Sequence, residues 1–599
     1  MLRILTSLLL LLLVSGANAQ GGTPASRKKA VENGLMPFTP VRGFPGWNLP
    51  ARMAEYKVPG LSIAVIDNYN IDWTASYGLA DTVRRVPVGR ETMFSAGSIS
   101  KLVAAVLVHR QVERGRMHPD TPVNHYLRSW KLPPNQWNKE VTVRMLLSHT
   151  GGASQSAYWG YLPDKSPLPT VVQILSGAPG TDCNPVIVNS EPGAGFRYSG
   201  GGMMVLQLAL TDLLGKDFER IAQEELFRPL GMRHSTFAQP LPASFQKKAS
   251  GAYSAAPWFK GVPYVYPQGA AAGLYTTATD LALLLIELQR CAAGKGRLLK
   301  RETVQAMVSP AAPISEGAYR ESMGLGAFLL ERTDNKSPDG KYFEHQGVNA
   351  GFTAFAIGSV TGGKGVVILM NTGDDFNGLG TELRRSVARA YGWTNFLPDE
   401  VLPVTLPGAL LDSYCGRYRK GTDEVVAFTR EGDYLVERIN GGRPIYSFPT
   451  GRDTLLLTDF GVPGYFLRDS SGAVRAFRTA FQTGAQAMPR MASGERTPSE
   501  LLAEGRYAEA KVVFAALNEN EYAQTYRIWE RLNRRDVDTG AAEALLEVAL
   551  AQHPRSAVVW LRQGDLRWLQ GRREDARAAW RTALDIDPKQ QEALEKLGR

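Results

Sequence analysis

Two strand-like segment pairs stand far apart in this chain, with helical patterning between them. Residues 61–66 (Leu-Ser-Ile-Ala-Val-Ile) read as a strand ended by the turn residues Asp67 and Asn68, with 74–77 as its hairpin partner. Residues 352–357 and 366–370 form the second pair, and 381–391 follow as a helix. Such an order predicts an antiparallel sheet assembled from both ends of one domain, flanked by helices and carrying a helical subdomain between the two pairs. That is an α/β arrangement of the α+β type, expected over residues 45–395.

The chain has 599 residues, too many for one hydrophobic core, so further domains are expected. Over 396–490 short apolar runs such as 425–428 and 454–457 alternate with Gly, Asp and Pro turns, which predicts a small all-β module. Residues 484–498 are rich in Gly, Pro and Ser and read as a linker. The segment 497–599 is helical and periodic: Ala576, Trp580, Ala583 and Pro588 match Ala542, Leu546, Ala549 and Pro554 one period of 34 residues earlier. Gly505, Ala510 and Phe514 repeat the spacing of Gly571, Ala576 and Trp580. The small residues let paired helices approach and the aromatic fills the gap between them. This segment resembles tetratricopeptide repeats, which implies a groove for a peptide or protein partner.

The N-terminus carries Arg3, an apolar run over 4–14 and the small-x-small pattern Ala17-Asn18-Ala19. These are the parts of a cleaved secretory leader over 1–19, with Gln20 as mature start and 20–44 as a lead segment. The apolar run is shorter than the ~20 residues a membrane span needs, and later apolar segments are broken by Gly, Pro or charge. An exported, periplasmic or secreted protein without a membrane span after leader removal is therefore expected. The formal charge of +10 is scattered among acidic residues, so nucleic acid is not an expected partner. Cys183, Cys291 and Cys415 lie far apart and lack metal-site spacing, and the seven His residues contain no His-Glu-x-x-His; neither metal nor other cofactor is expected.

Chemistry concentrates at Ser98-Ile99-Ser100-Lys101. The apolar run 102–108 follows and reads as a buried helix. Ser98 then sits at the helix N-terminus and Lys101 one turn on, on the same face. Backbone N–H groups at the helix start favour an oxyanion formed on a carbonyl attacked by Ser98. Two other Ser-x-x-Lys tetrads, Ser26–Lys29 and Ser244–Lys247, lie in polar surroundings that would not desolvate a lysine towards a base. Three further elements accompany Ser98: 146–152 (Leu-Leu-Ser-His-Thr-Gly-Gly), a helix end entering a tight turn; 192–200, which places Tyr198 in a Gly-rich loop before an apolar helix; and His345-Gln346-Gly347, which places a polar group and a glycine at a strand edge. Gly347 would let a substrate backbone approach closely. His149 lies beside Ser148 on its turn and no Gly-x-Ser-x-Gly elbow surrounds Ser98, so His149 reads as structural and not as a general base.

Together these elements resemble the serine β-lactamase and penicillin-binding-protein superfamily over about 45–395, most closely the class C β-lactamase-related esterases and D-amino-acid peptidases. Residues 229–232 and 271–280 add matching phrases. The resemblance implies that Ser98, Lys101 and Tyr198 are catalytic, with Ser98 forming an acyl-enzyme on an ester, small amide or D-amino-acid peptide bond. Lys101 and Tyr198 would share the proton transfers, the Tyr198 pKa being lowered by Lys101. The backbone N–H groups of Ser98 and Val348 would form the oxyanion hole, and His345 and Gly347 would contact substrate. The sequence departs from the family pattern twice: Gly200 stands where an Asn is usual, and His345 where a Lys is. A fixed cation that would anchor a carboxylate is thereby missing, which favours esters and small amides over β-lactams. The alternatives are a β-lactamase, a penicillin-receptor-like sensor with slow deacylation, and an inactive scaffold for the repeats.

Overall fold

The computed structural model describes residues 22–163, 166–253, 262–317, 319–333, 340–373, 378–480, 487–517, 519–532 and 537–597. The expected leader, 1–19, lies outside the described residues.

The two strand pairs meet at the centre of one antiparallel sheet. Gly60–Asp67 pairs with Asn70–Asp81 on one side and Gly365–Met370 on the other, with Leu61 opposite both Tyr77 and Met370. Phe352–Ser359 follows, then Lys341–Asn349, Phe328–Arg332, Tyr319–Met323 and Ala312–Ser315, while Val86–Pro87 closes the other edge. The four strands between 312 and 349 fall where the sequence suggested the end of a helical insertion. His345 and Gly347, expected at a strand edge, lie inside the strand Lys341–Asn349.

The central strand is apolar without alternation because both its faces are covered. Leu61, Ile63 and Val65 pack under the helix Leu379–Tyr391, whereas Ala64 and Ile66 face the opposite layer. That layer contains Ile99–Glu113, Gly200–Leu214 and Ala278–Ala292, three largely buried helices.

Residues 416–489 form eight antiparallel strands in sequential order. The last meets the first through the Met491 N–H, which donates to the Arg417 carbonyl at 2.8 Å, so the sheet closes into a barrel. Its core is aromatic: Tyr414 stacks on Phe466 at 4.3 Å, and Phe428 and Phe477 fill the rest. Paired helices from Pro498–Ala503 to Gln591–Leu597 complete the described chain.

The barrel docks on the sheet's helix-covered back. Arg52 lies 4.1 Å from the Trp47 ring and 5.7 Å from the barrel's Tyr446, and it pairs with Glu382, both side chains being about 4% exposed. The Thr39 N–H donates to the Thr458 carbonyl. Asp423 of the barrel accepts from the Ser499 N–H and from Arg527, each at 2.7 Å, which ties in the helical tail.

Candidate active site

Ser98 stands at the N-cap of Ile99–Glu113. Gly97 before it has φ +51°, and a Cβ there would lie 2.7 Å from the Val348 nitrogen, so only glycine lets the two backbones approach. Gly347 meets the same constraint from the other side, because a Cβ would overlap the Ala96 carbonyl and lie 3.0 Å from the Ser98 nitrogen. The close approach that requires glycine at 347 is to the Ala96–Ser98 segment of the chain itself. It brings the backbone nitrogens of Ser98 and Val348 side by side.

Lys101 is 3% exposed. Its Nζ lies 2.9 Å from Ser98 Oγ and 2.7 Å from the Ala271 carbonyl. Burial alone lowers its pKa from 10.5 to about 7, so near neutral pH a large share of Lys101 is amine. The ammonium donates to both oxygens; the amine keeps the Ala271 bond and offers its lone pair to the Ser98 hydroxyl. The two other tetrads supply the contrast. Ser26, Lys29, Ser244 and Lys247 are all exposed, so helical spacing alone does not desolvate a lysine.

The Tyr198 phenol is near enough to Ser98 for the serine to ease its ionisation slightly, and its ring centre lies 4.9 Å from Lys101 Nζ. Burial raises its pKa, opposite to the lowering expected from the sequence. The reason is that Lys101, itself half neutralised, supplies little charge to hold a phenolate. Tyr198 is a proton donor at neutral pH.

Four rings enclose this pair. His149 lies 4.7 Å from Tyr198 and His345 lies 6.2 Å away, while Phe328 stacks on Tyr198 at 6.0 Å and meets Phe196 at 5.9 Å. His149 Nδ1 accepts from the Ser199 N–H at 3.2 Å, a structural bond that holds the Tyr198 loop. His345 Nδ1 donates to the Gln346 carbonyl at 2.6 Å. Burial and the nearby Lys101 hold His345 down at about 3 and His149 well below its ordinary value, so both rings are neutral. The Nε2 atom of each is buried without a partner.

The position of the absent Asn is occupied. A Cβ on Gly200 would lie 3.1 Å from the Tyr158 ring and 3.2 Å from the Ser156 carbonyl, so loop 155–158 fills the volume of a longer side chain. Sequence reasoning did not single out the Ala271 carbonyl, Phe196, Phe328 or Asn349. Ala271 does lie within the family-like phrase 271–280, but a carbonyl acceptor has no residue-type signature. Among the described residues, no group of three or more His, Cys, Asp or Glu side chains could hold a metal, and no helix is long and apolar enough to cross a membrane.

Residues 48–389 match the β-lactamase family. A penicillin-binding protein 4 from Amycolatopsis lactamdurans is 28% identical over 185 residues, 31% of this chain and 46% of that protein. An unguisins hydrolase from Aspergillus campestris is 27% identical over 189 residues, 30% of this chain and 33% of that protein. The chain thus spans less than half the length of either curated relative. The octameric penicillin-binding protein homologue from Pyrococcus abyssi has the same fold, with a TM-score of 0.53 at 22% identity over 74% of this chain and 96% of that one. Because its sheet, the helix that begins at Ser98 and the Tyr198 loop fall within a family match that spans more than half of its length, the chain belongs to the β-lactamase family.

Proposed function

We propose that the chain is an exported serine hydrolase that cleaves a neutral ester, small amide or D-amino-acid peptide bond through an acyl-enzyme on Ser98. The observation that carries this reading is the buried Lys101 amine, 2.9 Å from Ser98 Oγ and largely deprotonated just above pH 7. Lys101 takes the hydroxyl proton as Oγ attacks the carbonyl carbon. The Ser98 and Val348 N–H groups receive the oxyanion. As the tetrahedral species collapses, the Tyr198 phenol protonates the leaving oxygen or nitrogen, and the Lys101 ammonium returns a proton to Tyr198. Water then repeats the sequence on the acyl carbonyl.

A neutral substrate suits His345, which is uncharged and turned to the Gln346 carbonyl, and the half-buried rings of Phe196 and Phe328. Neither offers a fixed cation to a carboxylate. A second reading, a penicillin-receptor-like sensor with slow deacylation, is favoured by Gly200, where loop 155–158 displaces the usual amide. A β-lactamase and an inactive repeat scaffold rank behind these two.

Export rests on the leader pattern of 1–19. The tetratricopeptide reading of 497–599 is supported by Thr539–Gln552 and Arg573–Ile586, helices of equal length 34 residues apart. Small residues also meet aromatics there, as at Gly540 beside Tyr507 and Gly564 beside Trp580. A peptide or protein partner is proposed for this segment.

The test incubates the mature protein and Ser98→Ala with a short-chain nitrophenyl ester and a fluorescent penicillin. Ester turnover that is lost in the variant supports the hydrolase. Stable labelling without turnover supports the sensor, and equal turnover by both proteins removes Ser98 from the mechanism.

A further inference from the structure

Three backbone segments must keep register for Ser98 to react: 95–98 with the nucleophile, 269–272 with the Lys101 acceptor, and 345–349 with the Val348 N–H. They come from separate parts of the chain and converge on one side chain. Asn349, 5% exposed, follows Val348 directly in the strand Lys341–Asn349. Its Nδ2 donates to Ser95 Oγ at 2.8 Å and to the Ala272 carbonyl at 2.9 Å. Ser95 lies three residues before Ser98, and Ala272 is adjacent to Ala271, whose carbonyl accepts from Lys101.

Other contacts hold these segments in pairs. The Ala96 N–H donates to the Leu274 carbonyl, Ser100 Oγ accepts from the Leu274 N–H at 3.0 Å, and Gly347 seats the strand against Ala96. The Asn349 amide bonds to two of the segments while belonging to the third. Its two N–H bonds are fixed in angle by the planar amide, so a shift of any one segment breaks a bond to another.

We propose that Asn349 is a positioning residue that holds the Val348 oxyanion donor, the Ser98 nucleophile and the Lys101 acceptor in a single register. The proposal rests on the Ser98 hydrolase reading. Asn349 acts on the geometry of acylation and not on substrate affinity, because its side chain is buried and its amide N–H groups are both taken by Ser95 and Ala272.

The comparison variant is Asn371→Leu. Asn371 is also buried, ties Gly60, Leu79 and Ser250, and bonds to none of the three segments. In the full chain, acylation by a nitrophenyl ester is followed by stopped flow in Asn349→Leu, Asn371→Leu, Ser95→Ala and the parent, with rates normalised to folded protein. Misplacing an oxyanion donor should lower acylation by about 10²–10³-fold in Asn349→Leu with little change in KM. The acid limb of its pH profile should also move down, since Lys101 loses the carbonyl that favours its charged form. Asn371→Leu should lose thermal stability but keep the parent's acylation rate and pH limb. Ser95→Ala, which retains the Ala272 bond, should show a smaller loss, and adding it to Asn349→Leu should cost nothing further.

Acylation and a pH limb unchanged in Asn349→Leu, or a rate loss equal to that of Asn371→Leu, would overturn the proposal. If Asn349→Leu does not fold, Ser95→Ala decides: full activity there also overturns it. A parent protein without Ser98-dependent turnover instead defeats the hydrolase reading, so the two failures are distinct.

Discussion

Acylation of Ser98 should switch on along a single-proton curve centred near pH 7. Burial brings Lys101 from 10.5 to about 7. At pH 7.5 roughly three quarters of Lys101 is then amine, against roughly one part in a thousand for an ordinary lysine, a gain of about 750-fold in free base. No neighbouring group confuses the assignment. His345 and His149 are held far below this range and His109 at about 4, while Tyr198 lies above its ordinary value. Glu437, raised to about 7 inside the barrel, serves as a control, and Glu437→Gln should leave the curve unmoved. The assay is stopped-flow acylation by a nitrophenyl ester from pH 5 to 9, where a slope of one and a midpoint near 7 are expected. Lys101→Met should abolish the curve and lower the rate at pH 7.5 by at least about 10²-fold. The same burial affects stability with a definite sign. The folded pKa lies below the unfolded one, so between about 7 and 10.5 the unfolded chain binds more protons, and the Lys101 contribution rises with pH. Lys101→Met should remove that rise in parallel urea titrations at two pH values. A limb near 10, a rate flat through pH 7, or substantial activity in Lys101→Met would refute the argument.

Three other outcomes can be checked separately. Tyr198→Phe should reduce kcat by about 10²–10⁴-fold on an alkyl ester, whose leaving group needs a proton, and by much less on a nitrophenyl ester; equal losses on both would exclude proton donation by Tyr198. Arg52→Leu strands the buried Glu382 carboxylate and should cost about 3–5 kcal/mol in urea unfolding, whereas Arg52→Leu with Glu382→Leu should recover most of it. Gly564→Ala drives a methyl into the Trp580 ring, so the helical tail should melt earlier by circular dichroism while ester turnover is unchanged.

Much of this arrangement is local and therefore legible in sequence. The apolar run after Lys101 marks a helix buried on nearly every side, and that burial distinguishes Ser98 from the exposed tetrads at Ser26 and Ser244. The two strand pairs, the barrel's alternating short runs and the helical tail follow from apolar periodicity and turn residues. Three of the four strands of 312–349 escaped because they are only four or five residues long and partly exposed, and Lys341–Asn349 because Lys341, Glu344 and Gln346 interrupt its apolar run, so pairing and not composition makes them strands.

The sequence by itself determined which residue types stand at one helical turn's spacing, and hence that a serine and a lysine share a face at a helix start. Only the tertiary structure decided what they are. It shut Lys101 away from water and thereby brought its pKa down to about 7, and the same burial raised that of Tyr198 instead of lowering it. It set Gly347 against the Ala96–Ser98 segment and turned His345 neutral towards its own strand. These are effects of dielectric and contact among segments hundreds of residues apart, and neither spacing nor composition encodes them.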